Sequence, residues 1–596
     1  MLKLHLYANI IKYLLIFAAV YINNYINWLY FYIRFIRERN IYSFIHARHR
    51  ALFISLMKFF TYLAAALLSL SSTSVFAQDA DNDLKGDLKF ENVVMGGYNQ
   101  ASTPMSITSE GNVVVTGTTA NMMTGALSSF IAMSSKELPT TPIWNIDLGG
   151  YSTVTSIISD GNGGVFVGGN FRSKISFPVA DGNPIEFTWG NSNPEALSDK
   201  PATFIAHINK EGNTIAAKAI TSTANPEVIN QNPNYTAYQA YCNLNNLVYV
   251  GGKLYAGLSF QDVISDGNES KQLASPVYDY WGSVGSSGCY TIAQINPETL
   301  SIVDYPVLFG GDTSDASFLG LDVKSAKIAT DGTYLYLAAN PNGWSSKVAL
   351  ELNDQVVDKV SFHYEGALNG FYFAKIDLAN NTFVASKAFD GEYTYSVDNF
   401  VPAMGDLLVN GDELLVSGSF IQNCPFDKSI KVVGNTDLFA VCLNKSDLST
   451  KSVLTSKYDE TAANGDQEVF SSLSVLDKMA SVTGYVASSS SLVAPLLFNA
   501  DDYSSSSSEF VNDAEADEDY ITGTAVAEDG TTYMAFLSND QKSYFYHYAA
   551  PDPTAVKNIE AATISKDAVI YNLQGMKLRA PQKGLNIVNG KKVFVK

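Results

Sequence analysis

Histidine and cysteine, the residues that most often bind metals or act as nucleophiles, are scarce in this sequence. Of 596 residues, six are His and four are Cys. His207, His363 and His547 are the three His after residue 77, and none has another at metal-ligand spacing. The sequence also lacks His-Glu-x-x-His, P-loop and Gly-x-Ser-x-Gly motifs. We therefore predict no metal site and no cofactor, and the sequence identifies no catalytic residue.

Positive charge is the second scarce feature. The chain has 39 Lys and Arg against 59 Asp and Glu, a formal net charge of -20. Because so acidic a chain repels a polyanion, we predict that nucleic acid is not a partner. Aromatic residues, in contrast, make up 12% of the sequence, with 34 Tyr and 33 Phe. That content excludes a disordered chain and predicts a large folded core.

The N-terminal region contains an export signal at residues 57–77. Lys58 precedes an apolar run at 59–70, and small residues lead to a cleavage site between Ala77 and Gln78. Residues 1–56 are rich in Ile, Tyr, Phe and Asn. We interpret them as an over-extended gene start, with a membrane anchor over 13–33 as the alternative. The mature chain is expected to begin at Gln78 and to be exported from the cytoplasm into the periplasm.

The four cysteines all lie in the predicted mature chain. They are Cys242, Cys289, Cys424 and Cys442, an even number in an exported protein. Their order suggests the disulfides Cys242–Cys289 and Cys424–Cys442, although four cysteines allow three connectivities. Free buried thiols are the alternative.

A short motif recurs along the middle of the chain. Each copy has a turn with Gly or Asp, a short run of β-forming residues, and a small residue, as in Glu110-Gly-Asn-Val-Val-Val-Thr-Gly117. Such turns flanked by β-branched and aromatic residues predict hairpins. The copies lie at 110–117, 160–168, 251–257, 331–338, 410–418, 477–484 and 529–535.

A second motif follows the first in each repeat and resembles Phe204-Ile-Ala-His-Ile-Asn209. Its copies lie at 130–133, 204–209, 290–296, 373–377 and 438–444, with weaker versions at 493–499 and 544–548. Four strands repeated seven times resemble a β-propeller, so we predict an all-β chain with a seven-bladed propeller of four-stranded antiparallel blades over 78–550. Residues 88–95 are expected to supply the last strand of the seventh blade. Tandem β-sandwich domains are the alternative.

Three connections between the two motifs are long, at 168–206, 257–293 and 338–374. They carry three Trp, and loops on a rigid scaffold are common binding sites. The predicted ligand-binding residues are Trp189, Tyr278, Tyr280, Trp281 and Trp344. The alternative is that each Trp anchors its own loop.

The C-terminal segment, 551–596, is basic although the body is acidic. From Ala555 onward it has eight Lys or Arg and two acids. It contains Tyr571-Asn-Leu-Gln-Gly575, Gly584-Leu-Asn-Ile-Val588 and a terminal Lys-Lys-Val-Phe-Val-Lys596. In that order these motifs resemble the C-terminal sorting signal of the type IX secretion system of Bacteroidetes, with Asn586 where that family usually has Tyr. The alternative is a small structural β-segment after the propeller.

The resemblance implies secretion or attachment at the outer-membrane surface, with the secretion machinery as a partner of the C-terminal segment. Together with the long loops, it predicts a binding protein for an extracellular glycan or protein. A carbohydrate-active enzyme on the same scaffold, such as a lyase or glycoside hydrolase, is one alternative. A structural adhesion component is another.

Overall fold

The protein is described here by a computed structural model. Contacts divide the chain into Met1–Asp83 and Leu84–Lys596, and the described residues all belong to the second unit. They are 85–94, 103–120, 127–190, 200–223, 240–272, 277–278, 284–285, 288–312, 323, 325–341, 347–362, 369–392, 402–432, 436–455, 468–476, 479–486, 491–499, 505–507, 519–527, 529, 531–538, 541–548, 570–571, 577–578, 584–588 and 591–595. The predicted leader, with its cleavage site at Ala77 and Gln78, lies outside them.

The described chain consists of β-strands and contains no α-helix, so the all-β prediction is confirmed. None of the described segments is a helix that could cross a membrane. Two strands precede the first repeat unit, β1 (Lys85–Phe90) and β2 (Val93–Val94). The first unit contains β3 (Met105–Ile107), β4 (Val113–Ala120), β5 (Leu127–Ser134) and β6 (Trp144–Asp147). The second contains β7 (Tyr151–Ser159), β8 (Val165–Phe177), the inserted β9 (Ile185–Trp189), β10 (Ala202–Ile208) and β11 (Thr214–Thr223).

The next three units also carry inserted strands. The third has β12 (Cys242–Val250), β13 (Lys253–Gln261), the inserted β14 (Val263–Ser265), β15 (Ser270–Gln272), β16 (Val277–Tyr278) and β17 (Val284–Gly285), then β18 (Gly288–Ile295) and β19 (Ile302–Gly311). The fourth has β20 (Ser325–Thr330), β21 (Tyr334–Asn340), the inserted β22 (Lys347–Leu352) and β23 (Gln355–Ser361), then β24 (Gly370–Asp377) and β25 (Thr382–Asp390). The fifth has β26 (Ala403–Asn410), β27 (Glu413–Phe420), the inserted β28 (Asn423–Cys424) and β29 (Asp427–Lys431), then β30 (Asp437–Asn444) and β31 (Thr450–Thr455).

The sixth unit and the end of the chain are simpler. The sixth unit has β32 (Glu468–Leu476), β33 (Met479–Val486), β34 (Ser491–Asn499) and β35 (Ser505–Ser507). The seventh has β36 (Asp519–Val526), β37 (Thr532–Ser538) and β38 (Ser543–Tyr548). A separate four-stranded sheet follows, made of β39 (Ile570–Tyr571), β40 (Lys577–Leu578), β41 (Gly584–Val588) and β42 (Lys591–Val595). Its last two strands pair antiparallel around the predicted Asn-Gly turn.

Each unit is an antiparallel meander, and β1 completes the seventh by pairing with β38. The first strand of each unit contacts the first strand of the next, and β36 contacts β3. The hydrophobic clusters lie between consecutive sheets; one joins Val416 and Phe439 of the fifth unit to Phe373 of the fourth. Burying each such side chain contributes about 1.5–3 kcal/mol. The chain is therefore a propeller-like repeat whose sheets are stabilised by their neighbours.

The small residue of the first motif lies under the aromatic residue of the second. Gly418 on β27 pairs with Phe439 on β30, and a Cβ on Gly418 would lie 2.8 Å from the Phe439 ring and 2.2 Å from the Ala403 carbonyl oxygen. In the first unit Gly117 pairs with Phe130 in the same way. The two sequence motifs are therefore the two halves of one packing contact.

The N-terminal strand lies three residues earlier than expected. β1 begins at Lys85 and supplies the fourth strand of the seventh unit, whereas Val93 and Val94 pair with β4 of the first unit. The Phe90 ring stacks on Phe130 with centroids 4.1 Å apart. The segment therefore links the last unit to the first.

Each sheet has two ends that differ in their connections. We call the ends with the turns after the first and third strands the turn face, and the ends with the other connections the connection face. On the turn face, the third-strand turn of one unit contacts the first-strand turn of the preceding unit through Lys210–Glu110, with an N–O distance of 2.9 Å, and Lys445–Asp331, at 3.1 Å. These contacts join neighbouring units.

Candidate functional site

A polar cleft of about 480 Å³ lies on the connection face, where the first unit meets the second. Its walls include Glu91 and Asn92 after β1, Thr119 at the end of β4, and Ser128 at the start of β5. Connections after the second and fourth strands of a meander emerge at the same end of the sheet, so these residues converge. The volume is in the range of small-molecule sites.

The remaining wall is the link from β6 to β7. It includes Asp147, Gly149, Gly150 and Tyr151, and Ser173 on β8 lies beside it. Gly149 and Gly150 have φ angles of 66° and 60°, a backbone conformation that favours glycine. A Cβ on Gly150 would also lie 2.5 Å from the Lys174 carbonyl oxygen. The two glycines therefore let the chain turn closely against β8 and form the cleft.

The floor of the cleft is fixed by hydrogen bonds among its own polar groups. The Asp147 carboxylate oxygen Oδ1 accepts from the Ser128 hydroxyl and from the Gly149 amide, the latter at 2.9 Å. The Thr119 hydroxyl donates to the Ser128 carbonyl at 3.1 Å, and the Ala120 amide donates to the Asn92 carbonyl at 3.0 Å. These donors are therefore occupied within the protein.

Acceptor groups remain available. Among the described residues nothing donates to Oδ2 of Asp147, which is exposed. Glu91 is 53% exposed and lies 3.7 Å from the Lys89 ammonium, a loose surface contact. Tyr151 is partly buried at the start of β7. The cleft thus combines two carboxylates, an aromatic residue and polar walls.

The cleft has no metal-binding cluster. Among the residues that the structure describes, no group of three or more His, Cys, Asp or Glu could hold an ion. The carboxylates Glu91 and Asp147 lie at the ends of β1 and β6, the outermost strands of their units. Asp147 also begins the link to β7, the first strand of the second unit, whose Tyr151 lines the same cleft.

Trp189 lies beside this cleft, but its side chain stabilises the fold. It pairs with Ser173 across β8 and β9, and its ring packs against the core of the first two units. Its indole Nε1 donates to the Lys200 carbonyl at 3.0 Å. A contact of this kind fits the loop-anchor alternative, and the ligand-binding role of Trp189 stays a prediction. The inserted hairpins of the third and fourth units pair with the outer strands of the preceding units, β14 with β11 and β22 with β19. The described parts of these connections thus cover sheet edges.

The other predicted aromatic positions remain predictions. Tyr280, Trp281 and Trp344 lie outside the described residues. Of Tyr278 the structure describes the backbone, which pairs with Val284 in the β16–β17 hairpin. The ligand-binding role of these four residues therefore stays a prediction.

The predicted disulfides are not formed in this structure, which holds Cys242, Cys289, Cys424 and Cys442 as buried thiols. Cys242 and Cys289 pair with opposite sides of Phe260, so they are two strands apart. That separation is roughly 10 Å, beyond the reach of a disulfide.

The second predicted pair is also separated by its strands. Cys442 pairs with Leu415 in the middle of β27, whereas Cys424 lies beyond the end of that strand. Burial raises the pKa of the Cys242 and Cys442 thiols to about 12 and that of Cys424 to about 11. These three thiols therefore stay protonated at neutral pH.

The turn face contains a histidine and a carboxylate in contact, and their roles are structural. His207 Nε2 lies 2.9 Å from Asp160 Oδ2, and the His207 ring packs on Phe166 at 4.4 Å between centroids. Asp160 Oδ1 accepts from the Asn162 and Gly164 amides and so closes the turn between β7 and β8. The pair therefore fixes a hairpin.

The cleft was not predicted from the sequence. Its strongest local signal is Asp147-Leu-Gly-Gly-Tyr151, a carboxylate, a pair of glycines and an aromatic residue within five positions. Glu91, Thr119 and Ser128 approach it only because β1 and β4 end, and β5 begins, at the same place. No local pattern marks those three residues.

The sequence matches no protein-family model and none of the curated proteins. Among solved structures it is similar to the Dos1 propeller, with 11% identity, 78% of this chain and 94% of that chain covered, and a TM-score of 0.36. It is also similar to the β-propeller domain of the trilobed protease from Pyrococcus furiosus, with 10% identity, 76% of this chain and 97% of that chain covered, and a TM-score of 0.33. A third similar structure is that of the polysaccharide lyase Uly1, with 8% identity, 78% of this chain and 90% of that chain covered, and a TM-score of 0.33. Because these TM-scores are below 0.5, the propeller-like description rests on the strand topology of this chain, and no activity is transferred.

Proposed function

We propose that this chain is an exported, seven-bladed β-propeller that binds an extracellular glycan at the cleft on its connection face. The cleft carries the proposal, since it is a concave polar site whose floor is already held in place by internal hydrogen bonds. A protein ligand is the alternative occupant. The propeller would span 78–550, with 551–596 as the sorting segment.

Two features of the sheets support seven blades. Seven four-stranded meanders occur in succession, and the first strand of the last contacts the first strand of the first. In addition, β1 is paired with the far end of the repeat. Tandem β-sandwiches would give self-contained pairs of sheets, whereas here each hydrophobic cluster joins consecutive units. Small-angle scattering that gave an elongated string of domains would contradict this part of the proposal.

The two terminal sequence signals support export. Residues 57–77 would carry the chain to the periplasm, and the segment 551–596 would direct it across the outer membrane. The test is expression in a Bacteroidetes host with a type IX system. We expect an extracellular or surface-bound protein that begins at Gln78, and a variant without 551–596 that stays in the periplasm. Unchanged localisation of the truncated variant would contradict the assignment of the tail.

Glycan binding is supported by the chemistry of the walls. Carboxylates bind hydroxyl pairs, and an aromatic residue such as Tyr151 can stack on a sugar ring. The test is glycan-array binding by the wild-type protein and by Tyr151→Ala. We expect one glycan class to bind and Tyr151→Ala to lose at least about tenfold in affinity. Trp189→Ala serves as the comparison, because it disturbs the fold near the cleft without changing a wall residue.

Catalysis has one observation in its favour, since Glu91 and Asp147 line the same cleft. Glycoside hydrolysis uses two carboxylates. However, Asp147 Oδ1 is already held by the Ser128 hydroxyl and the Gly149 amide. Product analysis of any bound glycan separates the two functions. Cleavage that is lost in Glu91→Gln would identify an enzyme.

A further inference from the structure

The segment that links the last unit to the first also forms part of the cleft. Residues 85–94, which we call the closing segment, contain β1 in the seventh unit and β2 in the first. Only Glu91 and Asn92 connect the two strands, and both line the cleft. The Asn92 carbonyl accepts from the amide of Ala120, another wall residue, at 3.0 Å. Release of β1 from β38 would therefore free one wall of the cleft.

Hydrogen bonds hold each strand of the closing segment to the unit of the other strand. The Asp87 amide, on β1 of the seventh unit, donates to the Leu138 carbonyl of the first unit at 2.8 Å. The Val93 amide, on β2 of the first unit, donates to the Gln541 carbonyl of the seventh at 2.7 Å. Because these bonds cross, we expect β1 and β2 to dock and to be released together.

β1 is weakly held compared with the other outer strands. Leu88 is its one fully buried residue, whereas most residues of β19, the outer strand of the third unit, are buried. β38 is its one partner in the described sheet, and the register shifts between Lys85 and Leu88. Elements with few buried apolar contacts open at the lowest free energies. β1 is therefore expected to be released before the rest of the repeat.

We propose that the closing segment is a conformational switch for the cleft. A ligand bound at Glu91 and Asn92 holds β1 on β38, and release of β1 opens the cleft. This inference rests on the proposed function, because it takes the cleft as the ligand site. A ligand that binds only the docked state stabilises that state, and the coupling is reciprocal. The affinity of the cleft therefore depends on the fraction of molecules in which β1 is docked.

The first test is residue-resolved hydrogen exchange of the purified protein without ligand. Leu88→Ala should accelerate exchange of the Asp87, Val93 and Ala120 amides by one common factor, at least about tenfold. Leu350→Ala is the matched control, because it removes an equally buried leucine from the inserted strand β22. Faster exchange at Asp87 alone would show that β1 opens by itself and would overturn the inference.

A reversible lock tests the same coupling without loss of packing. Lys89 and Tyr544 lie directly opposite on β1 and β38. Opposite residues of an antiparallel pair have Cα atoms roughly 4.5–5.5 Å apart, which fits a disulfide. In the double variant Lys89→Cys, Tyr544→Cys, oxidation should slow exchange at Val93 and Ala120 at least about tenfold. The reduced form of the same variant is the control, and a lock that left both amides unchanged would overturn the inference.

The ligand measurement uses the glycan that gives the strongest signal with the wild-type protein on the glycan array. At about one hundred times its Kd, it should slow exchange at Asp87, which is not a wall residue, about a hundredfold. Protection of the wall residues with Asp87 unchanged would overturn the switch and leave glycan binding standing. Absence of binding to every glycan would overturn the proposed function. The exchange of Leu88→Ala and of the locked variant would still confirm or overturn the coupling between β1 and the cleft wall.

Discussion

The turn face and the connection face are built from the same repeat, yet only the turn face is regular. On the turn face, carboxylate and amide side chains close the hairpins in the same way from unit to unit, as Asp160 and Asp331 do, and lysines join neighbouring units. On the connection face, the connections differ in length, some cover sheet edges, and one junction leaves a polar cleft. The repeat therefore maintains the scaffold, and the departures from it produce the candidate site.

The largest expected effect is in the shared interior that supports both faces. Gly418→Ala places a Cβ against the Ala403 carbonyl and the Phe439 ring, so we expect a loss of about 1–3 kcal/mol in the free energy of unfolding. Urea denaturation measures it, with Val384→Ala at a 45% exposed strand position as the control. Equal stabilities would show that the glycine–aromatic contact is dispensable.

On the connection face, Gly150→Ala is expected to cost about 1–2 kcal/mol and to weaken ligand binding. The new side chain would meet the Lys174 carbonyl in a backbone conformation with positive φ. Denaturation and binding measured together test the claim that this turn forms the cleft. A variant that lost stability but kept its affinity for the ligand would contradict the claim that this turn forms the binding site.

On the turn face, Lys445→Ala is expected to cost about 1 kcal/mol, because this ammonium bridges Asp331 and the Gly411 carbonyl in a partly buried position. Lys210→Ala should cost less, since both partners of Lys210–Glu110 are nearly half-exposed. Melting temperatures of the two variants show which of the two contacts between units contributes more to stability. A larger loss for Lys210→Ala would contradict the dependence on burial.

The contact between Lys445 and Asp331 also predicts that stability depends on pH. Burial alone would raise the pKa of Asp331, but the Tyr334 and Thr333 amides, Lys445 and the Tyr336 hydroxyl together lower it to about 2. Because the folded-state pKa lies below the ordinary aspartate pKa of 3.8, the stabilisation is complete above that pH and declines as the pH falls toward 2. Asp331→Asn should therefore reduce the difference in melting temperature between pH 5 and pH 3, and an unchanged difference would count against this carboxylate.

The smallest expected effect is that of a reducing agent. Because none of the four cysteines is in a disulfide and all are buried, reductant should leave the melting temperature unchanged. A thiol reagent should label four sites after unfolding and few before. A fall in melting temperature upon reduction would restore the disulfide hypothesis.

The sequence was informative where local chemistry repeats. Asp-Gly and Asn-Gly turns predicted the hairpins, and the paired motifs predicted the second and third strands, because turn geometry and strand alternation act over a few residues. The same local signals were weaker at the ends of the repeat. The closing strand was expected at 88–95, and the structure has it at Lys85–Phe90.

Non-local pairing was poorly predicted for a physical reason. Cys242 and Cys289 are adjacent in cysteine order, yet Phe260 and its strand lie between them. Trp189 was predicted from its residue type to bind a ligand, and only the fold shows that its indole also bonds the Lys200 carbonyl and packs on the core. Residue type alone does not show which surface a side chain meets.

By itself, the sequence determined the all-β class, the repeated turns and the two recurring motifs, since each depends on neighbours in the chain. The tertiary structure decided that the predicted cysteine pairs are separated by a strand or lie at different ends of one. It also decided which sheet edges the inserted hairpins cover and that Glu91 and Asp147 share a cleft. Those features depend on how sheets far apart in sequence pack against one another, and side-chain burial drives that packing without leaving a local pattern.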